Sequence, residues 1–155
     1  MGAHNGELGY GYVTIALHWF TVFLVLAQFV VGYVMAANDD LDIFPVHQAL
    51  GASILVVAIA RVVWRVRTPL PPWADSLSSG EKRVAHWTER ILLALLFVIP
   101  ATGLVLAGTG DDDLLALHVA AHAAFFVTLA VHLGLVLGRG LRGRPVLLDR
   151  MLRSR

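Results

Sequence analysis

Three histidines, His118, His122 and His132, fall within an uncharged stretch from Leu114 to Gly138. Imidazole is unwelcome in hydrocarbon unless something satisfies it, so an ionisable residue in such a stretch points to a functional site. Spacing sorts the three. At about 100° per residue, the fourteen residues from His118 to His132 return to within about 40° of the start after a rise of about 21 Å. The two share one helix face, separated by most of a bilayer. His122 lies about 80° off the direction of His132 and fits the pair less well, so its role stays open. Neutral imidazoles facing one another from two helices can hold a metal ion without any buried charge, and the ring nitrogen that does not bind it needs a partner of its own.

The chain that must position these groups has 155 residues, 57% of them hydrophobic and only 15% charged, with a mean hydropathy of +0.72. Water-soluble domains carry closer to a quarter charged residues. There is no cysteine, which excludes disulfides, thiolate metal sites, iron–sulfur clusters and covalent c-type haem attachment. Nothing suggests a nucleic-acid partner. About 20 apolar residues of helix cross a bilayer, and four uncharged stretches meet or approach that length. The expected fold is all-α, an integral membrane four-helix bundle forming a single domain over 1–155. Its spans are expected near 13–37, 45–66, 85–108 and 114–138. The first run is too long for a signal peptide and has no basic n-region, so it reads as a retained helix.

Charge gives the orientation. Arg61, Arg65, Arg67, Lys82, Arg83 and Arg90 flank the second connection, and Arg139, Arg142, Arg144, Arg150, Arg153 and Arg155 follow the fourth span, which accounts for all 12 basic residues. The other two connections, "NDDLD" and "GTGDDD", hold six Asp and no Lys or Arg. Basic loops stay cytoplasmic, so both termini are expected inside and both acidic loops outside, in a multi-pass protein of the bacterial inner membrane.

Orientation converts positions into depths. His18 and His132 lie near the inner face, His47 and His118 near the outer. Each pair can converge in the bundle core, where cofactors are held, and each can ligate a haem iron axially. Two haems would then stack across the membrane, one per leaflet. Gly51 follows His47 by one turn, where a missing Cβ lets a flat macrocycle approach; plain helix packing is the alternative. Arg61 lies fourteen residues after His47, on the same face and near inner-haem depth. It can pair with a propionate or snorkel to the headgroups.

The second connection looks ordered. Pro69, Pro71 and Pro72 stop helix two, and Ser78 with Glu81 makes a capping-box pattern for helix three. Residues 139–155 form a basic, amphipathic cytoplasmic tail that either lies on anionic membrane lipids or frays into water. His4 sits in a polar terminal segment and carries no expected role. Trp19, Trp64, Trp73 and Trp87 lie near the inner span ends, as an interfacial belt would.

With these features in place, the chain resembles the prokaryotic di-haem cytochrome b-561 family. The matching pieces are "IALHWF", "VHQALGASILVVAIARVVWR", "AHWTERILLALLFVIPATGLVL" and "LHVAAHAAFFVTLAVH", and the likeness runs from Tyr12 to about Gly138. It implies two haem b groups, with His18 and His132 on the inner iron and His47 and His118 on the outer one. It also implies exchange of electrons with quinone. His86 matches a family histidine that is not an iron ligand and can serve a propionate, a proton path or a quinone site; an interfacial role is its alternative. A second helix-three histidine of relatives is Glu89 here. Both are candidates near a quinone or proton path, since quinone reduction consumes protons.

The function expected is electron transport across the inner membrane between a periplasmic-side partner and the quinone pool. One alternative is a haem-bearing anchor subunit of a hydrogenase or dehydrogenase. Another is a superoxide-oxidising quinone reductase, ranked lower because a diffusing anion is not drawn to acidic loops. Those loops better suit a periplasmic electron-transfer protein with a basic patch. A homodimer is plausible for so small a bundle.

Overall fold

The computed structural model describes residues 4–5, 9–38, 41–143 and 146–152. Four long helices make the body: α1 (Tyr12–Asn38), α2 (Phe44–Arg67), α3 (Ser79–Thr109) and α4 (Asp112–Leu141), followed by a short α5 (Val146–Leu152). Among the described residues there is no strand. All four long helices are long and apolar enough to cross a membrane. At about 1.5 Å per residue, the 31 residues of α3 span well over the 30 Å of hydrocarbon, so its basic first turns project beyond the apolar slab.

Local chemistry fixes the ends. Ser78 and Glu81 form the capping box, each serving the other's backbone N–H, and this starts α3 well before its apolar run. α2 stops at Arg67, and Thr68 is extended ahead of Pro69, as the residues around a proline demand. α3 and α4 are joined by Gly110, whose φ of 65° is left-handed, and Asp111, whose carboxylate accepts from the N–H groups of Asp113 and Leu114. Only glycine takes that backbone region without strain, and the reversal brings α4 back along α3. α3 continues as helix through Pro100.

Contacts run chiefly between α1 and α2, α2 and α3, and α3 and α4; Phe29 of α1 meets Phe126 of α4 edge to face, ring centroids 5.0 Å apart. The buried core is small and lies at mid-height: Leu24, Ile54, Val57, Ala58, Leu96 and Phe125. Large side chains such as Phe23, Tyr33, Val56 and Val127 are about two-thirds exposed, which is expected where lipid rather than water covers the outer face.

One end of the bundle carries the basic residues and the other the acidic loops. Asp39, Asp40, Arg144, Arg153 and Arg155, which enter the charge pattern, lie outside the described residues. At the basic end the chain folds over itself. Arg139 is 4% exposed; its Nη1 donates to Glu81 Oε1 at 2.6 Å and its Nη2 to the Ser76 carbonyl at 3.0 Å. In α5, Arg150 donates to the Pro72 carbonyl, and Trp19 donates to the Met151 carbonyl. His4 also has a place. Its ring stacks on Trp64 and its Nδ1 lies 3.1 Å from Thr68 Oγ1.

Candidate functional site

Two cavities lie one above the other in the bundle. The acidic-end cavity, about 310 Å³, is walled by all four long helices and lined by His47, Gly51, His118 and His122, with Gln28, Phe29, Pro100 and Gly103 among its neighbours. Among the described residues no Asp, Glu, Lys or Arg lines it. The basic-end cavity, about 290 Å³, is lined by His18 and His132 together with Arg61, Arg65 and Glu89. Tyr10, ahead of α1, and Met151 of α5 also line it. Val25, Leu96 and Phe125 line both cavities. Phe125 is seven residues from His118 and seven from His132, on nearly the same face of α4.

The histidines thus gather as the spacing suggests, two and two, with His122 added at the acidic end. His122 is packed against His118, ring centroids 4.5 Å apart, and its Nδ1 donates to the His118 carbonyl at 2.9 Å. A carbonyl only accepts, so His122 carries a proton on Nδ1. His118 Nδ1 lies 3.0 Å from Thr102 Oγ1. Both ring nitrogens of His47 lie 3.1–3.2 Å from Gln28 Nε2.

At the basic end Arg61 turns inward, since its Nη1 donates to Thr21 Oγ1 at 3.0 Å. It lines the cavity. Thr21 passes its own hydrogen to the Leu17 carbonyl at 2.7 Å. Burial pushes the Tyr10 phenol up to about 12, so its hydroxyl keeps its proton at any physiological pH. A chain of hydrogen bonds closes the floor: Trp64 Nε1 donates to Thr14 Oγ1, which donates to Asn5 Oδ1, while Asn5 Nδ2 donates to the Pro69 carbonyl. Of the two helix-three candidates, Glu89 lines the cavity. His86 does not; it is half-buried near the start of α3, edge-on to Trp87.

Several contributors escape a reading of spacing alone. A Cβ on Gly103 would sit 2.9 Å from His118 Cε1, and one on Gly32 would sit 3.2 Å from His47 Cε1. Gly51 has looser surroundings, with Gln28 Nε2 at 3.6 Å, so it is Gly32 and Gly103 that make room for the acidic-end rings. Gln28, the lone carboxamide of helix one's apolar run, was the available signal; a polar side chain at that depth needs a reason.

The donor set suits a haem. Among the described residues no three His, Cys, Asp or Glu side chains gather to hold a bare metal ion. Imidazoles instead face apolar space from different helices, an arrangement suited to a group that brings its own equatorial nitrogens and needs only axial ones. Gln28 Oε1, buried in the acidic-end wall without a hydrogen-bond partner, marks a polar position that the apolar cavity alone does not explain.

Comparison with known proteins points the same way. The family model described as prokaryotic cytochrome b561 matches residues 9–154. Cytochrome b562 of Cereibacter sphaeroides is 28% identical over 158 residues, covering 96% of this chain and 98% of the relative. Cytochrome b561 homolog 2 of Escherichia coli is 27% identical over 112 residues, covering 69% of this chain and 60% of the relative. The chain belongs to the prokaryotic cytochrome b561 family, haem b proteins of electron transport that pass the bacterial membrane several times.

Proposed function

We propose that the chain is a di-haem conduit that carries electrons across the inner membrane between a partner at the outer face and the quinone pool. The observation that carries the reading is the pair of stacked cavities, each lined by histidines from two helices and sharing Val25, Leu96 and Phe125 in their walls. The basic end faces the cytoplasm by the distribution of Lys and Arg, which makes the acidic-end cavity the outer one.

His47 and His118 hold the outer haem, and His18 and His132 the inner. When bound, haem supplies one-electron chemistry at its iron. The remaining work falls to the chain. Arg61 and Arg65 stand in the inner cavity where acidic substituents of a haem would meet them. Apolar walls keep water from the outer site. Glu89 in the inner cavity and His86 nearer the bilayer edge are the groups available to pass protons to a quinone in the cytoplasmic leaflet. The acidic outer loops fit a donor protein with a basic patch better than superoxide.

A reduced-minus-oxidised spectrum with haem quantitation tests the reading: two b-type haems per chain are expected, and one or none overturns it. Near-diffusional reduction of quinone by superoxide would instead make superoxide the donor.

A further inference from the structure

The two cavities treat their histidines differently. Among the described residues the side chains of His18 and His132 make no hydrogen bond, whereas His47 and His118 each have a polar partner on a neighbouring helix. Thr102 has one hydroxyl hydrogen, and it is directed at the carbonyls of Val98 and Ile99, 2.8 and 2.9 Å away. Toward His118 it can therefore only accept. That places the ring proton on Nδ1 and leaves Nε2 free for a metal. Beside His47, Gln28 presents its Nε2 while its Oε1 is buried without a partner. Turning the carboxamide over puts the orphaned oxygen against the ring. It then accepts the proton of whichever nitrogen is not bound to iron, and a costly unsatisfied acceptor disappears.

Charge differs in the same sense. Among the described residues the inner cavity holds Arg61 and Arg65 against one carboxylate, Glu89, and the outer cavity holds no charged side chain.

We infer that Gln28 and Thr102 accept the second ring protons of the outer haem's histidines, and that with the arginines opposite they make the inner haem the better electron acceptor. The inference rests on the di-haem reading. A ligand imidazole that donates its N–H is more electron-rich and favours iron(III). Positive charge in a low-dielectric cavity favours the state that has gained an electron. Both differences drive electrons inward. In the transfer the outer iron(II) becomes iron(III) and the inner iron(III) becomes iron(II). No bond is made or broken, and the ring protons stay in place. The outer-face donor protein refills the outer site and quinone drains the inner one.

The test is an equilibrium redox titration of the purified full chain with its haems, followed by visible absorbance. His132→Ala and His118→Ala assign the two steps by leaving one haem each. The outer step is expected to be the lower. Thr102→Val and Gln28→Leu should raise that step alone, by a factor of about three to ten in the ratio of reduced to oxidised haem; tenfold is 59 mV for one electron. Thr102→Ser should restore it, and Arg61→Gln should depress the upper step alone. An outer step that is the upper one overturns the inference, as does failure of both Thr102→Val and Gln28→Leu to move it. A wild-type haem content below two overturns the di-haem reading beneath it, and is seen before any potential is measured.

Discussion

The two ends of this bundle enclose cavities of similar size, about 310 and 290 Å³, by opposite means. The acidic end uses apolar walls, close-packed glycines and a minimal turn at Gly110 and Asp111. The basic end uses charge, and needs more chain to do it. Asn5, the proline-rich connection and α5 all fold over it, held by bonds such as Asn5 to Pro69 and Arg150 to Pro72. Charged groups inside a bundle persist only when they are partnered, so Arg61 has Thr21 and Arg139 has Glu81. On the di-haem reading, an uncharged end would suit a group that exchanges only electrons, and a charged end one whose acceptor also takes protons.

Removing ligands should break the comparison most sharply. His118→Ala and His132→Ala are each expected to lower haem content from two per chain to one, the first emptying the outer site and the second the inner, as read by haem quantitation and difference spectra. His122→Ala should keep both; loss of the outer haem there, with retention in His118→Ala, would reassign the ligand. Next comes Gly103→Ala. Its Cβ would stand 2.9 Å from His118 Cε1, and haem retention at the outer site is expected to weaken about 10–100-fold, the scale of lost ligand support. Gly51→Ala, with its nearest neighbour at 3.6 Å, should change it little; titration of haem into the apoprotein distinguishes them. Glu81→Ala leaves the buried Arg139 guanidinium without its carboxylate, with only Ser76 to accept from it, and should lower the thermal midpoint by several degrees, with the outer haem spectrum unchanged. The smallest effect sharpens the inner site: Glu89→Gln should raise the inner step by about threefold in reduced-to-oxidised ratio, or nearly 30 mV, while His86→Ala, outside the cavity, should move neither step.

Much of this was legible in the sequence because membrane rules are severe. Four uncharged runs can be little other than spanning helices, and the capping box at Ser78 and Glu81 sets the start of α3 by local bonding alone. The fourteen-residue interval on α4 is fixed by helix geometry, so it brings His118 and His132 to separate cavities without tertiary information. What depends on neighbouring helices was not legible. His122 is well off the direction of His132 yet lines the acidic-end cavity, because its position is decided by the packing of α4 against α3. Arg139 reads as a flanking charge until α3 supplies Glu81. Gly32 and Gly103 look like packing glycines until the rings opposite are known. His4 gains its place only when Trp64 arrives from α2.

The layer shared by the two cavities has a consequence for the membrane as a capacitor. Val25, Leu96 and Phe125, with the core around Leu24, Ile54, Val57 and Ala58, offer no hydroxyl, amide or charge. A proton crosses a membrane along water or hydrogen-bonding groups, and this plug supplies none, whereas an electron can tunnel through a side chain's thickness of hydrocarbon. On the di-haem reading the layer is selective by particle: it would insulate against protons while leaving an electron a path, and each electron carried inward would itself add to the voltage across the membrane.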